Sequence, residues 1–245
     1  MKSLNLDVFL VPRIDMFSGE EVPLEEERLK FISNFTGSAG IAIISVNPNF
    51  KSAIFSDGRY QLQIKKEVDI KYYDAFNGGF KEVANTLIKN KHILKKIGID
   101  PWLITIDQFA YLKDISNNLK FLENNLIDEI WFHRPIETQN KIFELGTKYT
   151  GEDKESKIER LATTILENKF DFYILFNPMG LCWLLNIRAM DLKHTPVLRA
   201  FCFVSKFGEV FVFSKNKSLK RCLNNSKKIY LYDFEDLSGF LEKNS

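Results

Sequence analysis

Asp57-Gly58-Arg59-Tyr60 puts a carboxylate, a guanidinium and a phenol within four consecutive positions. A guanidinium is planar and permanently charged, so Arg59 could clasp an acidic partner or a peptide carboxylate. The plainer reading is a strand-ending turn, with Asp57 bonding local backbone and Gly58 at positive φ. Arg188 and Asp191 stand three apart, and a local structural ion pair is expected of them. Asp15, Asp57 and Asp100 are carboxylates that a metal-dependent enzyme could use. Asp100, however, precedes Pro101 in a turn-like context, and a solvated carboxylate is the default. His92, His133 and His194 are all the histidines, and none stands at metal-ligand spacing with a cysteine or an acid. No metal site is expected in this chain.

Thr36-Gly37-Ser38-Ala39-Gly40 joins a helix to a strand. Glycine there should supply a left-handed helix cap, and small residues should let helix and sheet approach closely. It is not a phosphate loop, because no Gly-Lys-Ser/Thr follows and the turn runs from helix to strand.

These residues need elements to hold them. The chain has 245 residues, 45% hydrophobic and 27% charged, with a net charge of +2. That suits one large or two moderate globular domains. Charges of both signs are interspersed, so nucleic acid is not an expected partner. The lysine-rich stretches 89–96 and 215–228 read as solvated faces and loops. No stretch nears the roughly 20 apolar residues of a membrane span, and no leader pattern opens the chain. Cys182, Cys202 and Cys222 read as reduced core or near-surface thiols, which points to the cytoplasm.

Periodicity predicts strands at Asp7–Val11, Ile41–Val46, Ala53–Phe55, Ile70–Tyr73 and Ile97–Ile99. Helices are predicted at Glu25–Phe35, Phe80–Lys89 and, capped by Thr105, Ile106–Ile115. Tyr60–Lys66 suits either element, and Phe121–Trp131 reads as a strand followed by a polar joint. Residues 141–153, polar and with two glycines, read as a link between domains spanning 1–140 and 154–245. The pattern then restarts with a helix over Lys154–Asn168, a strand over Phe170–Phe176 and a short helix over Met179–Leu185. Leu198–Ser205 and Glu209–Phe213 form a strand pair around Phe207-Gly208. A strand over Ile229–Tyr232 and a helix over Phe234–Glu242 close the chain. The fold class is α/β with mixed sheets.

Three ordered segments carry a family resemblance. The first is Phe31-Ile32-Ser33-Asn34-Phe35-Thr36-Gly37-Ser38-Ala39-Gly40 with Ser56-Asp57-Gly58-Arg59-Tyr60. The second is Ile127-Asp128-Glu129-Ile130-Trp131 with Arg134-Pro135. The third is Tyr149-Thr150-Gly151, Lys157, Trp183-Leu184-Leu185-Asn186-Ile187-Arg188, Asp191 and Pro196-Val197. Together they resemble the aminopeptidase P family of pita-bread metallopeptidases in its three-domain form, over essentially the whole chain. The resemblance implies two creatinase N-terminal-type domains of ribonuclease-H-like outline, the second incomplete by a strand and a helix.

It implies a parent Xaa-Pro aminopeptidase, a hydrolase acting on peptides with proline second. Two divalent metal ions, usually manganese, would sit in a catalytic domain lying outside these residues. This chain alone is then expected to be inactive, a truncated part serving homodimer assembly and access to the active site. Arg59 would lie near the neighbouring subunit's active site, with Asp57 and Tyr60 beside it; Arg188 and Asp191 are further access or interface candidates. The alternative is a stand-alone binding or scaffold module left from a split gene.

The chain departs from the family pattern at Phe17, where histidine is usual, and at Glu21, where tyrosine is usual. Asn34 and Ala189 replace glycines, and Thr195 replaces the asparagine of an Asn-Pro pair. Trp183 is expected to be buried against Leu184 or Ile187, because all three fall at helical spacing.

Overall fold

The computed structural model describes residues 1–137, 140–223 and 227–244; residues 224–226 of the lysine-rich stretch 215–228 therefore lie outside the described residues. Two compact units divide the chain at Ile136/Glu137.

The first unit contains β1 (Val8–Pro12), α1 (Arg28–Ser33), β2 (Ile41–Ser45), β3 (Ser52–Ser56), α2 (Gln61–Glu67) and β4 (Tyr73–Asn77). It continues with α3 (Phe80–Lys89), β5 (Ile97–Ile99), α4 (Ile106–Ala110), β6 (Leu119–Phe121) and α5 (Leu126–Ile130). The strands form one mixed sheet in the order β4-β3-β2-β1-β5-β6. Val8-Phe9-Leu10-Val11 is apolar throughout because β1 is central and covered on both faces. Val8 and Leu10 face α3 through Val83, Ala84 and Leu87. Phe9 and Val11 face Leu29, Ile64 and Leu126 from α1, α2 and α5.

Several elements differ from the sequence expectation, each for a local reason. Asp69 accepts from Lys71 N at 2.8 Å and holds a turn, so the strand expected at Ile70–Tyr73 begins only at Tyr73. The helix expected over Ile106–Ile115 stops at Ala110, although Thr105 caps it as anticipated, accepting from Gln108 N at 3.1 Å. Beyond it, Leu112 and Ile115 turn inward to the core. The polar joint expected after Phe121 contains the cap of α5, with Asn125 Oδ1 accepting from Ile127 N at 3.0 Å.

The left-handed residue ending α1 is Asn34 at φ 63°, not a glycine of the following turn. Gly37 and Gly40 serve close approach instead: a Cβ on Gly37 would collide with the Phe35 ring, and one on Gly40 would lie 2.9 Å from it. Gly58 does not adopt the positive φ expected of it; it opens a short 3₁₀ turn capped by Asp57.

The second unit contains β7 (Phe143–Glu144), α6 (Thr147–Thr150), α7 (Lys154–Glu167), β8 (Phe172–Leu175), α8 (Pro178–Leu184) and β9 (Ile187–Arg188). Then come β10 (Phe201–Ser205), β11 (Val210–Ser214), α9 (Leu219–Cys222), β12 (Ile229–Asp233) and α10 (Leu237–Asn244). The stretch 141–153, expected as a link, carries β7 and α6. Phe143 pairs with Arg188 and Glu144 with Ile187, which ties this stretch into the second unit.

The main sheet runs β12-β11-β10-β8. Its pairing repeats that of the first unit. β8, β10 and β11 are successively antiparallel and β11 is parallel to β12, as β1, β2, β3 and β4 are. Cys202, Val204, Val210 and Val212 form one core face with α7 and α8. The other face is aromatic: Phe240 of α10 lies 5.0–5.2 Å, centroid to centroid, from Phe203, Phe211 and Phe213.

A buried ion network ties the first unit together. Arg28 grips Asp128 bidentately at 2.7 and 2.9 Å. Arg134 adds a third contact to Asp128 at 2.7 Å and donates to the Glu25 carbonyl at 2.6 Å. Removing one partner of a buried pair strands the other charge, a cost of about 3–5 kcal/mol. Asp128 is itself partly exposed, so Asp128→Ala should destabilise the first unit by about 3 kcal/mol in urea unfolding. A loss below about 1 kcal/mol would show that water replaces the carboxylate.

Candidate functional site

One end of the first sheet gathers two of the stretches that the sequence singles out, Thr36-Gly37-Ser38-Ala39-Gly40 and Asp57-Gly58-Arg59-Tyr60. β1 leaves the sheet there at Pro12, β2 enters at Ile41 and β3 ends at Ser56. Arg13 follows β1 and joins the loops. It grips Glu27 at 2.7 and 3.2 Å and donates to the carbonyls of Ser38 at 3.0 Å and Glu20 at 3.3 Å. Sequence reasoning missed Arg13; its one signal is a lone cation directly after a buried strand. Ser56 Oγ donates to the Ala39 carbonyl, which pins the small-residue turn against the end of β3.

Arg59 stands at this rim with its side chain 69% exposed. Asp57 accepts from its backbone N–H at 3.0 Å and from Nε and Nη2, both at 2.9 Å. This fork holds the guanidinium over the Tyr60 ring, 5.2 Å from the centroid. The hydrogen bonds from Arg59 keep the Asp57 carboxyl below the usual carboxylate range. Tyr60 is held from both sides. Its ring meets Phe35 edge-on at 5.8 Å, and its hydroxyl bonds Ser38 Oγ, which lowers the pKa of the phenol. The rim thus presents an exposed, oriented cation able to receive a carboxylate or a carbonyl oxygen.

Glu67 secures the same turn from α2. It accepts from Thr36 N at 2.8 Å, Thr36 Oγ1 at 2.7 Å and Gln63 Nε2 at 3.0 Å. Asp15 is buried and closes its own loop, accepting from Phe17 N at 3.1 Å and Gly19 N at 3.0 Å. Asp100 caps the turn at Trp102 and receives Asn125 Nδ2 at 2.8 Å. The three aspartates considered as a metal set therefore have three separate local tasks. Among the described residues, no group of three or more His, Cys, Asp or Glu side chains is arranged to hold a metal ion.

Arg188 and Asp191 belong to the second unit and do not pair. Arg188 Nη1 donates to the carbonyls of Ile187 at 2.7 Å and Cys182 at 3.1 Å. Asp191 accepts from Arg199 N at 2.9 Å, and burial raises its carboxyl pKa. Cys182 and Cys202 are buried, and burial pushes the Cys182 thiol up to about 11.

Trp183 is not buried; half its surface is exposed. Helical spacing placed it with Leu184 and Ile187, but α8 turns those two inward and Trp183 outward. Its ring covers the Lys157 ammonium, which lies 4.3 Å from the centroid and donates to Asn186 Oδ1 at 2.7 Å and the Trp183 carbonyl at 2.9 Å.

Comparison with known proteins follows the same two-part division. The creatinase/prolidase N-terminal domain family matches residues 1–129, and a second family of the same description matches 133–245. The chain belongs to the creatinase/prolidase N-terminal domain family. It is 33% identical to a probable Xaa-Pro aminopeptidase P of Coprinopsis cinerea, covering 99% of this chain and 40% of that protein. It is 31% identical to aminopeptidase P2 of Arabidopsis thaliana, covering 82% of this chain and 29% of that protein. A crystal structure of X-prolyl aminopeptidase from Caenorhabditis elegans, described as a cytosolic enzyme with a di-nuclear active site, shares the fold at a TM-score of 0.86 and 24% identity. It covers 97% of this chain, which spans 40% of that one. Among the described residues no helix is long and apolar enough to cross a membrane.

Two outcomes test this geometry. Burial raises the Glu67 pKa, but the hydrogen bonds from Thr36 and Gln63 outweigh it and set the group below its ordinary 4.5. A folded pKa below the unfolded one gives stabilisation that is complete above about pH 4.5 and is lost as the pH falls further. Glu67→Gln should therefore flatten the acid limb of a stability–pH curve; an unchanged limb would show that the carboxylate is not held in solution. Trp183→Ala should cost about 1–2 kcal/mol, from half-exposed area and a cation–π contact, against about 3–5 kcal/mol for a fully buried tryptophan. A urea midpoint shift in the larger range would contradict the exposed placement.

Proposed function

We propose that this chain is the N-terminal, non-catalytic part of a metal-dependent Xaa-Pro aminopeptidase that works as a cytoplasmic homodimer. In this reading the first-unit rim forms part of the entrance to a partner subunit's active site. The observation that carries it is Arg59: an exposed guanidinium oriented by a two-point grip from Asp57, on a rim formed by both stretches of the first family-like segment. A proline-directed exopeptidase must admit a peptide end and exclude folded chains, and a rigid cation at the entrance can take the substrate's backbone carbonyl or carboxylate. The parent's substrates are peptides with proline second. Its two divalent ions, manganese in this reading, would be held by residues beyond those described; nothing in the described set suits them, so no catalytic step is assigned to this chain.

The test has two arms. The purified 245-residue chain, supplied with manganese and an Xaa-Pro peptide, should show no turnover. In the full-length protein, Arg59→Ala should lower kcat/KM several-fold on peptides longer than three residues and leave metal content unchanged. Turnover that copurifies with the isolated chain would overturn the non-catalytic assignment. Unaltered kinetics in the full-length variant would overturn the entrance role.

A further inference from the structure

A groove of about 700 Å³ opens in the second unit between α7 and the turn joining β10 to β11. Its floor is apolar. Ile158 and Ala162 of α7 approach Gly208, which at φ 74° makes the tight turn that brings the hairpin down onto the helix. Phe207, at the tip of that turn, is 67% exposed and forms an apolar lip.

The two walls carry opposite charge. On the helix side stand Glu155 and Glu159, one turn apart, so they repel each other. Neither has an ion pair among the described residues. On the opposite side stand Lys227 and Lys228. Lys227 likewise has no ion pair among the described residues, and Lys228 donates only to the Phe207 carbonyl, at 3.0 Å. By contrast Lys206 at the same mouth is paired with Asp171 at 2.8 Å. A cleft of this size with unneutralised acids on one wall and bases on the other has a complementary ligand: a zwitterion with an apolar middle.

We propose that this groove binds short free peptides, with the terminal amine at Glu155 and Glu159, the terminal carboxylate at Lys227 and Lys228, and apolar side chains over Ile158 and Ala162. It would be a second peptide site, apart from the Arg59 rim, and it deepens the reading of this chain as part of a peptide-processing protein. Failure of that reading in the turnover assays would leave the binding measurement below intact.

The experiment is titration calorimetry of the 245-residue chain with the tetrapeptide Ala-Leu-Leu-Ala, free and capped at either end. Acetylating the amine should weaken binding about three- to fivefold, and amidating the carboxylate by a similar factor, as for partly exposed ion pairs. Glu155→Gln with Glu159→Gln should remove the penalty of acetylation and leave that of amidation; Lys227→Ala with Lys228→Ala should do the reverse. Circular dichroism checks that both double variants remain folded. Absence of binding at millimolar peptide would overturn the proposal. So would equal capping penalties in wild type and variants, or binding restricted to an amphipathic helical probe with both ends blocked.

Discussion

The geometry of the rim depends on a carboxylate well away from it. Asp128, in the middle of α5, takes both arms of Arg28 and one of Arg134, and so fixes α1 against α5. α1 leads directly into Asn34, whose left-handed backbone sends the chain back over the sheet. Phe35 then buries fully, and the turn that follows can run only where Gly37 and Gly40 leave room for its ring. Ser38 consequently meets Tyr60, and Tyr60 carries Arg59 above it. Each step is a steric or hydrogen-bonding constraint: packing fixes the turn and the Tyr60 ring, and Asp57 then aims the guanidinium over that ring.

Much of this architecture is legible in the residue pattern. The apolar runs in Val8–Val11, Phe201–Ser205 and Val210–Ser214 point to strands covered on both faces, and the amphipathic Phe80–Lys89 to a helix that buries one. Short polar segments are harder to read. Asn124-Asn125 reads as a loop, yet the second asparagine caps a helix whose third residue is the hub Asp128. The 141–153 stretch lacks periodicity because a two-residue strand and a single helical turn are too short to display any.

Trp183 shows where spacing alone misleads. Period 3.6 places Trp183, Leu184 and Ile187 near one side, but α8 ends at Leu184, before the pattern can bury all three. The outward ring covers the ammonium of Lys157, and burial lowers the pKa of that lysine. Asn34 is a similar case. Asparagine reads as a departure from the family glycine, yet it is the commonest non-glycine residue able to hold a left-handed cap. At Arg59 the residue types signal a cation, but the grip of Asp57 on Nε and Nη2, and hence the direction of the charge, appears only in three dimensions.

The second sheet ends in β8, whose sequence Phe172-Tyr173-Ile174-Leu175 holds no charge and no proline. Its counterpart in the first unit, β1, is covered on that side by β5. Among the described residues no strand pairs with the outer side of β8, and an unpaired apolar edge offers its backbone to whatever extended chain comes within reach, its own copies included. In a concentrated preparation the earliest losses should therefore come from strand-to-strand sticking at this edge while both cores are still intact. Solubility would then be governed by four residues at the margin of one sheet more than by the stability of either unit.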